Sequence, residues 1–211
     1  MKSKLLKNTI YQVPVDYYDR GIKSNILQNL WHNHKFHVFQ KIVMEGKYLN
    51  ILDVGCASGI MTAKIAQIFP NSKITGIDIY DPGIRFAQKK YKHLKFITCD
   101  VHKLPFPDNY FDLIVCYETI EHVIDPFQVF KELQRVAKRD ASIIIAMDSG
   151  NLLFRIVWFF WENTKGRVWK GAHLHPFHYN QLEKLIKKVK FRKISKKFSH
   201  FGMEVIFIIK N

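Results

Sequence analysis

The sequence predicts an α/β domain built on a mostly parallel sheet with helices on both faces. Two observations predict it. From residue 49 onward, short apolar runs of strand length alternate with stretches of helical period, the pattern of successive βαβ units. The first run, Ile51-Leu52-Asp53-Val54, ends in the small-residue turn Gly55-Cys56-Ala57-Ser58-Gly59 and leads into a helix with Met61, Ile65 and Ile68 along one side. Such a turn lies at the carboxyl end of a strand, where open α/β sheets place their ligands. The 211 residues, 47% hydrophobic and 24% charged, suffice for one sizeable domain, and no repeat, low-complexity tract or interdomain linker divides them.

In chain order, residues 1–23 are basic and then aromatic (Tyr11, Tyr17, Tyr18), carry Pro14 and Gly21, and show no period, which predicts an arm. From Ser24 a helical pattern begins (Ile26, Leu27, Leu30, Trp31, then Phe36, Phe39, Ile42, Val43), with Ser24 or Asn25 as its cap. Within it, His34 and His37 stand three apart, but no carboxylate sits at metal-ligand spacing, so a solvated or substrate-facing side of a helix is the better reading. Leu49–Val54 reads as strand 1, Ser58–Phe69 as a helix broken by Pro70-Asn71, and Lys73–Ile79 as strand 2. Pro82 starts the next helix (Ile84, Phe86, Ala87), and Lys95–Thr98 is strand 3. The loop Leu104-Pro105-Phe106-Pro107-Asp108-Asn109 leads to strand 4, Phe111–Tyr117. Pro126 starts a helix with Phe127, Phe130, Leu133 and Val136 on one face, and Ser142–Met147 is strand 5. The alternation then breaks: residues 149–177 hold the apolar segment Leu152–Trp161, Lys165-Gly166-Arg167, and Gly171 to Phe177. A basic helix with Leu182, Leu185, Ile186 and Val189 on its apolar face precedes two runs, Phe191–Phe198 and Met203–Ile209, that predict a hairpin at the sheet edge.

The net charge is +15, which implies attraction to anions: nucleic acid, acidic lipid headgroups or phosphorylated substrates. Three cysteines, Cys56, Cys99 and Cys116, without a Cys-x-x-Cys pair read as small buried hydrophobes of a reducing compartment. No signal peptide is evident, and Leu152–Trp161 falls short of the roughly 20 residues that span a bilayer. The expectation is a soluble cytoplasmic protein that can touch a membrane surface.

Three chemistries compete for the Gly55 turn. A phosphate loop needs Gly-Lys-Ser/Thr, and here Gly59-Ile60-Met61 follows. A dinucleotide fingerprint needs glycines where Ala57 and Ile60 stand. The remaining form, Asp53-x-Gly55-x-Ala57-x-Gly59, resembles the first motif of class I S-adenosylmethionine-dependent methyltransferases, and the following order strengthens the resemblance. Strand 2 ends in Gly76-Ile77-Asp78-Ile79, where a carboxylate can accept both hydroxyls of a ribose. Strand 3 ends in Cys99-Asp100-Val101, and Leu104-Pro105-Phe106-Pro107 with Phe111-Asp112-Leu113-Ile114 matches the family's approach to strand 4. The resemblance spans residues 47–147 well. It implies a Rossmann-like, doubly wound sheet of seven strands with the last antiparallel. It also implies one domain: an N-terminal arm and helix (1–46), a cofactor-binding core (47–147), a cap insertion (148–177), and a C-terminal helix and hairpin (178–211). S-adenosylmethionine would meet Asp53, Gly55, Cys56, Ala57, Gly59, Asp78, Ile79, Asp100, Val101 and Tyr117, with Asp100 at the adenine amino group. Ala57 departs from the pattern's glycine, which costs nothing if the residue keeps a negative φ.

Past strand 4, Glu118-Thr119-Ile120-Glu121-His122-Val123-Ile124-Asp125-Pro126 resembles the subfamily of ubiquinone- and menaquinone-biosynthesis methyltransferases. There, such acids and the Glu-His pair are associated with metal binding or with deprotonating a phenolic hydroxyl. Glu118, Glu121 and His122 are therefore the expected catalytic residues, with His122 as a general base; a divalent metal on the same three is the less favoured option. The alternative is that Glu-His only builds the connection to the next helix. His173 and Phe177 follow the form in which related enzymes place substrate-side residues. Leu152–Trp161 reads equally as a core or dimer helix, a lid over an apolar substrate, or an element on a membrane surface. The lysines from Lys184 to Lys197 form a solvated face that could also meet acidic lipid or RNA phosphate. The implied reaction is methyl transfer to a hydroxyl or carbon of an apolar or lipid-linked small molecule. The rivals are an RNA methyltransferase and a non-catalytic subunit that binds the cofactor.

Overall fold

The computed structural model describes residues 11–164, 166–169 and 177–211. Seven strands form one sheet in the order β3-β2-β1-β4-β5-β7-β6: β1 Asn50–Val54, β2 Lys73–Asp78, β3 Lys95–Thr98, β4 Phe111–Tyr117, β5 Ala137–Asp148, β6 Lys193–Ser199 and β7 Glu204–Lys210. The pairs among β1 to β5 are parallel, and β7 runs antiparallel to both β5 and β6. This is the expected Rossmann-like doubly wound sheet, closed by the expected edge hairpin.

Period-two alternation sorts the sheet's side chains between two helical layers. Ile51, Leu113, Val115 and Ile144 pack against Phe39 and Val43 of α2 (Ile26–Val43) and Ile65 of α3 (Ile60–Ile68). Leu52, Val54, Ile114 and Ile145 face the other way. They meet Val129, Phe130 and Leu133 of α5 (Pro126–Val136) and Leu182 and Ile186 of α7 (Tyr179–Lys188). Helix α4 (Asp81–Lys90) lays Ile84 and Ala87 on Phe96 of β3. Because β1 sends its chain toward β2 while β4 lies on its other side, the strand order reverses between β1 and β4. That reversal opens a crevice at the carboxyl ends of both strands.

Some local details differ from expectation and one is settled. Tyr17–Ser24 is a helix, α1, and not part of an arm; it is only eight residues long, mostly polar, and buries none of its residues. Of the two expected caps for α2, Asn25 serves, its side chain accepting from the N–H groups of Leu27 and Gln28. Strand β5 begins five residues early, at Ala137, and reaches Ser142 through a register shift against β4, with Asp140 at φ 67°. Finally, Ala57 sits at φ 47°, in the left-handed region, between Gly55 at 74° and Gly59 at 82°. The turn thus carries its one alanine at some strain. Gly59 precedes α3 as its N-cap residue, so α3 starts two residues later than the sequence pattern suggested.

The segment after β5 forms α6 (Leu152–Glu162), capped by Asn151, whose side chain accepts from the Phe154 N–H. None of its residues is buried, so it is not a core helix. No helix of the described residues is long and apolar enough to cross a membrane.

Replacing Ala57 by glycine should raise stability by a few tenths to about 1 kcal/mol, because the relief of left-handed strain outweighs the added freedom of the unfolded chain. Urea unfolding measures this; a loss of stability would mean that the turn does not follow the left-handed path.

Candidate functional site

The crevice between β1 and β4 deepens into a cavity of about 360 Å³. That is within the usual size of small-molecule sites. Its floor is the Gly55–Ser58 turn with Ile60 and Met61; its sides are the ends of β2 (Asp78, Ile79, Tyr80) and β3 (Cys99, Asp100, Val101, His102) and the chain leaving β4 (Tyr117, Glu118, Thr119, His122). The N-terminal residues close it from above. Tyr11, Val13 and Tyr18 line the cavity, the Tyr80 hydroxyl donates to the Val13 carbonyl at 2.8 Å, and Tyr11 stands edge-on to the Tyr80 ring.

Gly55 has to be glycine: a Cβ there would fall 2.0 Å from the Thr119 hydroxyl oxygen. Asp78 braces the turn. One of its carboxylate oxygens accepts the Ala57 N–H and the other the Tyr80 N–H, each at 2.8 Å. Each oxygen keeps a further lone pair for a ligand hydroxyl. Burial pushes the Asp78 carboxyl above the usual range, and the backbone donors of Tyr80, Ala57 and Ile79 work against that. Asp100 is held by His102: the ring's Nε2 accepts the Asp125 N–H at 3.0 Å, which leaves the proton on Nδ1, donated to Asp100 at 2.6 Å.

Of the expected cofactor contacts, Gly55, Cys56, Ala57, Asp78, Ile79, Asp100, Val101 and Tyr117 line the cavity. Asp53 and Gly59 do not. The Asp53 carboxyl is buried behind the turn and accepts the Thr62 hydroxyl of α3 at 2.6 Å, so it shapes the turn from inside. Phe177 packs against the core under α5 and α7. His173 lies outside the described residues. Among the expected catalytic residues, Glu118 and His122 line the cavity, while Glu121 is buried beneath it.

A charged cluster that the spacing of the sequence does not announce stands at this end. Lys35, on α2, is buried, and its Nζ lies 2.9 Å from Glu118 and 3.3 Å from Glu204 of β7. Glu204 also accepts from the Ser199 hydroxyl at 2.5 Å and meets His200, whose Nε2 donates to the Trp31 carbonyl. Burial alone would push Glu204 up, but Lys35 and the hydrogen bonds of His200 and Ser199 bring it down to about 2. Burial works downward on Lys35, and the two glutamates outweigh it, raising its pKa. Burial, with Lys35 nearby, pushes His32 on the cavity wall down to about 3, so its imidazole is neutral. Burial raises Glu118, Glu121 and Asp148, and in Glu121 and Asp148 the neighbouring acids add to it.

Carboxylate oxygens of Glu118, Glu121 and Asp148 lie within 4.8 Å of one another. Both oxygens of Glu121 are buried without a hydrogen-bond partner among the described residues. Three clustered carboxylates, one of them with both oxygens unpartnered, fit a hard divalent cation. Protons would neutralise the group equally. The third member is Asp148, where the sequence spacing suggested His122.

Residues 52–145 match the family model of a methyltransferase domain. Over these residues the chain is similar to a methyltransferase domain. The chain is 31% identical over 134 residues to the mitochondrial ubiquinone biosynthesis O-methyltransferase of Bos taurus, covering 59% of this chain and 36% of that protein. It is 35% identical over 98 residues to a fatty-acid O-methyltransferase of Mycolicibacterium smegmatis, covering 45% and 35%. The chain thus spans little more than a third of these two relatives. In fold it resembles a solved S-adenosylmethionine-dependent methyltransferase of Thermotoga maritima, with a TM-score of 0.70, 19% identity, and 95% and 98% of the two chains covered.

Lys35, His32, Asp148, Glu204 and Tyr18 are the members of this site that sequence reasoning missed. One signal was present: Lys35 stands at i, i+4 and i+8 with Phe39 and Val43, so the helical period aims a charge inward.

Burial pushes Asp53 up to about 7, against the Thr62 hydrogen bond. A raised carboxyl contributes stability that is full below its unfolded pKa and is lost as pH rises through the folded one. Stability should therefore fall between roughly pH 4 and pH 7 as this proton is lost. Asp53→Asn, which still accepts from Thr62, should melt higher than the parent at pH 8 and show little difference at pH 4. Melts in which the variant is the less stable at pH 8 would place the carboxylate in contact with a cation or solvent.

Proposed function

We propose that the protein transfers a methyl group from S-adenosylmethionine to a hydroxyl or carbon nucleophile of an apolar or lipid-linked small molecule. The observation that carries this reading is a single cavity with Asp78 and Asp100 at one end and apolar walls around Lys35, Glu118 and His122 at the other. The two relatives named above are, by their names, an O-methyltransferase of ubiquinone biosynthesis and a fatty-acid O-methyltransferase, which supports an apolar acceptor.

The cofactor supplies an electrophilic methyl group. The Gly55 turn would hold its methionine part, Asp78 would accept from the ribose hydroxyls, and Asp100 from the adenine amino group. At the other end His122 lines the cavity within the chain leaving β4, where it can take the proton of an acceptor hydroxyl. The Lys35 ammonium, fixed by two carboxylates and lining the same cavity, favours negative charge on an acceptor oxygen. A divalent cation held by Glu118, Glu121 and Asp148 would supply Lewis acidity there. The N-terminal residues over the cavity keep water from the methyl donor and align the two reactants, from which much of the rate would come.

RNA methylation is the second reading, favoured by the +15 charge. Against it, the cavity is roofed by Tyr11, Val13 and Tyr18 and walled by Val15, Ile22 and Phe36, which suits an apolar molecule better than an extruded base. Labelled methyl transfer into fractionated lipid, RNA and small-molecule extracts, with mass identification of the product, separates the readings. Label in an apolar small-molecule or lipid product is expected. Label confined to RNA would replace this reading with the second, and cofactor binding without transfer to any fraction would indicate a non-catalytic subunit.

A further inference from the structure

The side of α6 turned away from the domain is apolar throughout. Leu152, Leu153, Ile156, Val157, Phe159 and Phe160 are each between 44% and 74% exposed. At helical spacing they share an arc of about 160°, while the less exposed Phe154, Trp158 and Trp161 occupy the opposite arc. This inverts the pattern of an ordinary surface helix, whose polar side faces water.

A second segment presents the same chemistry. Phe201 is 94% exposed at the tip of the turn between β6 and β7, where His200 and Phe201 both take positive φ, at 49° and 57°. Two successive left-handed residues other than glycine or asparagine are costly, yet here they hold a phenyl ring out in solvent. The turn is tied to its neighbours: the Asn151 side chain at the start of α6 donates to the Gly202 carbonyl at 2.8 Å, and the His200 ring stacks on Trp31 of α2 at 3.8 Å. Phe201 therefore stands beside the first turn of α6. On its other side, the turns of α2 leading to Trp31 expose Ile26, Leu27 and Leu30 at 61–75%.

The surroundings are basic. Neither α2 nor β6 contains an acidic residue, Lys193 and Lys197 lie exposed on the strand that feeds the turn, and Arg155 is exposed at the edge of the apolar arc. Pairing this face with a second copy would bring two chains of charge +15 together. An anionic bilayer instead meets both features, taking aromatic and aliphatic side chains at headgroup depth and lysine and arginine at the phosphates. We infer that α6 and the Phe201 turn form a docking surface for an anionic lipid membrane. The docking stands independently of the proposed reaction. Joined to it, the surface begins with only three residues between it and Asp148, so an apolar acceptor need not cross water to reach the site.

The test is flotation of the purified full chain, without cofactor or acceptor, on phosphatidylcholine vesicles with and without phosphatidylglycerol. Binding to the anionic vesicles, weakening as salt rises, is expected. The Phe160→Ser/Phe201→Ser variant should bind about tenfold more weakly. It should keep its melting temperature and cofactor affinity, because both rings are exposed in the free protein. Failure of the folded parent to bind anionic vesicles, or equal binding by the variant, would overturn the inference. So would a dimer in sedimentation that the variant dissociates, which would assign the face to a second copy. A protein that binds vesicles but transfers no methyl group would overturn the proposed function alone.

Discussion

Two hydrogen bonds to one carboxylate organise the ligand end of this domain. Asp78 stands at the last position of β2, where its oxygens accept the N–H groups of Ala57 and Tyr80. The first bond ties the turn after β1 to the neighbouring strand; the second fixes the chain as it leaves β2. Hydrogen bonds to a charged acceptor contribute about 1.5–3 kcal/mol each, enough to offset the strain of one alanine in the left-handed region. With the turn held open, Gly55, Cys56 and Ala57 face the crevice where the strand order reverses, and the start of α3 sits beneath them.

The opposite end of the cavity rests on a different constraint, buried charge. Lys35 brings one ammonium into a region with Glu118, Glu121, Asp148 and Glu204. Such a group is stable only if its members are paired, and removing one partner of a buried pair costs about 3–5 kcal/mol. Lys35 comes from α2, Glu118 from the end of β4 and Glu204 from β7, so the cluster locks the N-terminal helix to both halves of the sheet. The same lock holds α2 beside the Phe201 turn, through the stacking of His200 on Trp31. The Lys35 end of the cavity and the outward apolar rim thus depend on one electrostatic arrangement.

Local pattern made the sheet legible. Strands β1 to β4 were readable because each is a short apolar run bounded by turn residues, and all lie near the sequence's own boundaries. The early start of β5 was not, since Lys138-Arg139-Asp140 reads as a solvated loop and pairs only through a bulge. Helix α1 escaped notice because it is only eight residues long and mostly polar. The end proposed to hold the cofactor was readable because its acids, Asp78 and Asp100, stand at strand ends in a fixed order and line the cavity. The other end was legible in part: Glu118 and His122 stand in the motif after β4 and Lys35 falls on the inward period of α2, but residues 35, 118, 148 and 204 meet only once the sheet is assembled. Asp53 shows the converse, a motif residue whose carboxyl faces inward to Thr62.

The central claim is that the Asp78-braced turn is the cofactor seat. Titration calorimetry with S-adenosylmethionine tests it most directly, using the parent protein, Asp78→Ala and Gly55→Val. The account predicts binding by the parent and its loss, or weakening by about a hundredfold, in both variants while they remain folded. Unchanged affinity in both folded variants would contradict it.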